Sequence, residues 1–226
     1  MRRQLTLGAV AIAMIALTVL LLRSPNREPY HVARGRHDLA DLAKESLIAL
    51  EKGDFVKWRA SLPPGEASRY GLSNNELREV FTKYLSPAFR GGVGEYQMSL
   101  NLDQGVGSCE RMYWVNKIQL SVGVSVAFQA VEKKWGYWNT LYATLSNAWL
   151  LEGLRAGRVD ALPYSAAAFA AERDRKKLTA LGLKHFPSSK PGVSVSWDQQ
   201  INSLRTEAER RAKLSKDSTG PAPPTR

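Results

Sequence analysis

The chain has 226 residues, 44% of them hydrophobic, which suits one packed domain with extensions and excludes a disordered chain. Its formal net charge of +11 is unevenly placed: residues 1–37 carry six Arg and one Glu, residues 155–226 carry fourteen basic and seven acidic side chains, and residues 38–154 carry twelve basic and thirteen acidic. A near-neutral body with basic ends argues against nucleic-acid binding and fits either contact of the ends with anionic lipid headgroups or a solvated surface that keeps the protein soluble, while a single cysteine, Cys109, excludes an intrachain disulfide framework.

Residues 5–22 follow Met1, Arg2 and Arg3 and contain no charge. At helical rise they span about 27 Å, close to the hydrocarbon thickness of a bilayer. Residues 1–22 are therefore expected to be an N-terminal transmembrane anchor, with a cleaved signal peptide as the competing reading. The run is long for a signal core, and no small-x-small pattern follows Leu22. Arginines flank both sides, so charge alone does not set orientation; the export-like plan favours an extracytoplasmic domain on a single-pass protein. Residues 23–37, with Pro25, Pro29 and several Arg, read as a basic tether.

From Asp38 the period becomes helical, with Leu39, Leu42, Ala43, Leu47 and Leu50 on one face and Gly53 as the stop. A short amphipathic piece covers residues 55–62 and ends at Pro63 and Pro64. Ser73 and Glu76 have capping-box spacing, so a third helix begins there and ends before Pro87.

Strands follow. Tyr96, Met98, Leu100 and Leu102 alternate with polar residues; residues 103–107 read as a turn. Residues 110–120 are strand-like and run on across a bend into residues 121–130, where Val122, Val124, Val126 and Phe128 alternate with smaller residues. Residues 132–137 form a hairpin turn, and the return strand is expected from Trp138 to about Leu150, with a helical alternative from Leu145.

An alanine-rich helix covers residues 163–181 and closes at Gly182. Residues 192–197 read as a short edge strand. Residues 198–214 form a charged helix whose thin stripe, Ile201, Leu204 and Ala208, leaves it either solvated or docked on a partner. Residues 155–217 are thus a helical basic extension, and residues 218–226 a disordered tail.

Helix, short helix, capped helix, then an antiparallel sheet: this order resembles the nuclear transport factor 2-like superfamily, a cystatin-like α+β cone. The local text behind the resemblance is residues 49–55 at the end of the first helix and the late hairpin at residues 134–138. It covers residues 38–154 and implies helices closing one side of a curved antiparallel sheet. Members include dehydratases and isomerases, binding and scaffold domains, and membrane-anchored secretion subunits, and the fold does not choose among them.

The chemistry is sparse. His31 and His37 lie in or beside the tether and His185 in the extension, so none falls on the expected sheet. No cluster of metal ligands and no phosphate-binding loop is present in the pattern, and no catalytic residue, metal or cofactor is assigned. Aromatics crowd the later strands: Trp114, Trp138, Tyr142 and Trp149 are the candidate ligand or partner surface, against the alternative that they fill the core. Two functions follow as expectations. One is a membrane-anchored, non-catalytic scaffold that binds a protein partner or self-associates. The other is a small-molecule or lyase/isomerase-like cone with an aromatic-lined pocket.

Overall fold

The computed structural model describes residues 38–101, 103–131, 134–158, 163–187 and 193–217. The expected anchor and tether, and the expected disordered tail, lie outside the described residues. Among the described residues no helix is long and apolar enough to cross a membrane.

Helix α1, Asp38–Lys52, buries Leu39, Ala43, Leu47 and Leu50, the stripe set by the 3.6-residue period. It closes on Gly53 at φ +74°, with the Asp54 amide returning to the Ala49 carbonyl at 2.9 Å. Asp54 then caps α2, Phe55–Ala60, by accepting from the Lys57 amide. A one-turn helix α3, Glu66–Arg69, follows. The Ser73–Glu76 capping box forms as expected and starts α4, Asn74–Val80. That helix passes through a π-helical turn, Phe81–Leu85, into the short α5, Ser86–Ala88.

Four strands form one antiparallel sheet in sequential order: β1 Gly92–Asn101, β2 Val106–Val115, β3 Ile118–Val131 and β4 Lys134–Trp138. The expected alternation holds at Val122, Val124 and Val126, which are all buried. The long strand expected across residues 110–130 is instead a hairpin. Asn116 and Lys117 turn the chain with φ of +49° and +68°, the two positive angles of a tight primed turn. The Asn116 side-chain Nδ2 donates to the Leu154 and Arg155 carbonyls, which holds the turn against the helix that follows the sheet.

The expected return strand stops at Trp138, and the helical alternative from Leu145 holds, beginning four residues earlier. After β4 the chain enters helix α6, Leu141–Arg155. Thr140, a good strand former, is its N-cap, accepting from the Ala143 amide. Leu141, Leu145, Ala148 and Trp149 are buried at helical spacing. The buried Glu66 carboxylate reaches in from α3 to accept from the Leu141 amide at 2.9 Å, satisfying a free donor of the first turn.

Helix α7, Pro163–Ala180, lays its alanines on α6. Gly153 makes this possible: a Cβ there would overlap the Ala166 carbonyl. A two-stranded ribbon, β5 Phe186–Pro187 and β6 Ser194–Val195, leads to α8, Trp197–Asp217. Its thin stripe is spent within the chain, since Trp197, Ile201, Leu204 and Ala208 are buried and α8 packs on α7.

Helix α1 lies on the inner face of the sheet, touching β1, β2 and β3. At Gly107 the approach is so close that a Cβ would meet the backbone of Leu39 and Ala40. Cys109, Val122, Val124 and Val126 join α1 in one apolar core, which continues through α6 and α7 to Leu204 on α8.

Candidate interaction surface

Strand register divides the sheet into lanes. Met98, Cys109 and Val124 are aligned across β1, β2 and β3, as are Leu100, Gly107 and Val126. These lanes point to α1. The lanes between them face outward: Ser99, Ser108 and Ser125; Gln97, Glu110 and Gly123; Val93, Met112 and Ser121. The outward face is polar, with a Ser99–Ser108 hydroxyl pair at 2.6 Å and Ser121 donating to Glu110 at 2.6 Å. Trp114 stands on it opposite Gln119 and is 61% exposed.

The four aromatics singled out in the sequence are not brought together. Trp114 is on the outward face of β2. Trp138 ends β4, its backbone aligned with Ala127, and its side chain lies outside the described residues. Tyr142 is on α6, 40% exposed, its hydroxyl accepting from the Gln200 side chain at 3.0 Å. Trp149, also on α6, is fully buried against Phe186 and Trp197, with ring centroids 5.6 and 5.9 Å away. Trp149 is therefore a core residue, and neither it nor Tyr142 belongs to the sheet. An expected strand turned out to be a helix, and the shared face went with it.

A cluster missed in the sequence joins α1 to the sheet. The Glu51 carboxylate, in the last turn of α1, accepts from Arg111 Nη1 at 2.7 Å, Tyr96 Oη at 2.7 Å and Tyr113 Oη at 3.0 Å. Gly92 leaves the room; a Cβ there would clash with Glu51 and Arg111. Burial, then the hydrogen bond and charge of Glu51, push the Tyr96 phenol up to about 12. Burial and then the Glu51 charge push Tyr113 further in the same direction. Both phenols are thus held as donors. The missed signal was an acid in the last turn of a helix, where the macrodipole disfavours it and a partner is needed from elsewhere in the fold.

A second network links the π-helical turn to α6 and α7. Tyr84 donates to Asp174 at 2.8 Å, Arg173 grips Asp174 with two bonds of 2.7 Å, and Glu152 accepts from both Arg173 and Arg155. Burial first, and the Asp174 charge second, raise the Tyr84 pKa. In both networks the carboxylate oxygens are taken up by donors, so the arrangement ties elements together.

An open groove of about 500 Å³ lies on α7, lined by Glu172, Arg175, Lys176, Thr179 and Ala180, with no aromatic among them. Glu172 pairs with Arg205, and Arg175 with Asp198, so these rim charges are engaged by α8. Among the described residues no three of His, Cys, Asp and Glu converge as metal ligands. No family model, curated protein or solved structure matches the chain.

Proposed function

We propose that this is a membrane-anchored, non-catalytic interaction domain that binds a polypeptide through its sheet. Residues 1–22 are the anchor, residues 38–154 a nuclear transport factor 2-like cone outside the cytoplasm, and the basic ends lie against anionic headgroups. The observation that carries the reading is Trp114. A tryptophan 61% exposed on the outward face of a sheet, with Val93 also uncovered on that face, is the kind of aromatic anchor that dominates protein interfaces. The inner face supports the same reading, since α1 covers its lanes apart from Met98.

The test replaces Trp114 with a photo-crosslinking amino acid in the producing cell. Illumination should give an adduct with a polypeptide. The same group at Val56, which is 71% exposed but on α2, away from the sheet, should give none. No polypeptide adduct at position 114 would overturn the reading.

A further inference from the structure

Sheet order leaves β1 as an edge strand. Among the described elements only β2 and α1 pack against it closely. Natural edges are blunted by bulges and charges, and the first half of β1 follows that rule. Register breaks between Val93 and Gln97, Gly94 sits at φ +74°, and Glu95 adds a charge. The second half does not. Gln97, Met98, Ser99, Leu100 and Asn101 pair with β2 without interruption and carry no charge.

A second feature falls on the same five residues. Met98 shares its lane with Cys109 and Val124, both buried, yet is itself 48% exposed. The core-facing lane thus continues past the cover that α1 provides.

The five residues are also complementary to themselves. In an antiparallel pairing of two copies centred on Ser99, Ser99 lies opposite Ser99. Met98 of each copy faces Leu100 of the other, on the core side. Gln97 faces Asn101 on the outward side. Like charges opposite one another oppose pairing, and this register contains none. Asp103 and Glu95, which would oppose each other if it ran on, lie beyond the strand end and within the bulge.

We propose that β1 is the seam of a homodimer, two copies joined through Gln97–Asn101 into a continuous eight-stranded sheet. The proposal rests on the reading above that this is a polypeptide-binding domain, and adds a second copy at the β1 edge, distinct from the polypeptide that Trp114 meets on the outward face. A five-residue seam is short. Anchoring both copies in one membrane supplies the effective concentration that makes it sufficient.

The experiment uses the full chain, first in membranes of the producing cell and then in detergent. Under mild oxidation Ser99→Cys should form a disulfide-linked dimer, because the two Cβ atoms oppose each other at about 5 Å. Asn101→Cys should not, because its opposite number is Gln97. Cys109 does not compete, being buried with its thiol pushed up to about 11 by that burial. By sedimentation equilibrium, Ser99→Lys should weaken the dimer at least about tenfold. Ser108→Ala, which breaks the same Ser99–Ser108 bond but leaves the edge unchanged, should retain it. A dimer that persists in Ser99→Lys, or a failure of Ser99→Cys to link, overturns the seam. If a Trp114 adduct still forms in that case, the interaction reading stands without it. A monomer with no adduct at position 114 removes both.

Discussion

Glu51 sits where a helix least favours a carboxylate, and three donors from the sheet compensate for that placement. Its side chain is nearly buried and that of Arg111 about three-quarters so. Glu51→Gln leaves the guanidinium without its counter-charge and should cost about 2 to 3 kcal/mol in urea unfolding, below the range for fully buried pairs because Arg111 keeps some solvent. A loss under about 0.5 kcal/mol would make this an ordinary surface pair. The phenols give a pH test. Tyr96 titrates at about 12 when folded and at about 10 when unfolded. The folded form keeps a proton that the unfolded form releases, so this contribution is complete below about pH 10 and is lost as pH rises towards 12. Tyr113, Tyr84 and Tyr70 are shifted the same way, burial being the first cause in each. The urea midpoint should therefore fall from about pH 10 upward, and less steeply in Tyr96→Phe; an unchanged slope in that variant would show that Tyr96 is not coupled to folding.

At the scale of elements, Gly153 decides how closely α6 and α7 approach. In a free helix Gly→Ala stabilises by up to about 1 kcal/mol. Here the added methyl would overlap the Ala166 carbonyl, and Gly153→Ala should destabilise by about 1 to 3 kcal/mol as the helices are forced apart. The sign alone distinguishes the two cases in a thermal melt. Elements whose local signals agreed with their tertiary setting were legible in the sequence: the Leu39–Leu50 stripe, the Ser73–Glu76 box and the Val122–Val126 alternation. Two were not. Lys117 holds a positive φ usually given to Gly, so Asn116 was the one mark of the β2–β3 turn. Thr140, Tyr142 and Thr144 favour strand by propensity, but α6 is decided by its cap, by Glu66 from α3 and by burial against α7. The candidate site inherited that error, because Tyr142 and Trp149 were placed on a sheet face that does not exist. Trp114 does stand exposed on the sheet.

For the whole molecule, the C-terminal helices are part of the core. Trp197 packs on Phe186 at 4.9 Å and on Trp149, and its indole donates to the Leu183 carbonyl at 3.0 Å. A charged helix with a thin apolar stripe suggests an element either solvated or docked on a partner; α8 instead docks on α7. Removing residues 197–226 should strip cover from Phe186, Trp149 and the α7 alanines and abolish the cooperative melt. A truncated chain that melts as the full chain does would show that α8 adds nothing to the fold. The outward sheet face and the β1 edge remain the surfaces proposed for function. The most direct test of that assignment is native mass spectrometry of the full chain, extracted from the producing membrane without refolding. The expected mass is that of two copies, with no small molecule retained. A monomer carrying a discrete small mass would contradict it.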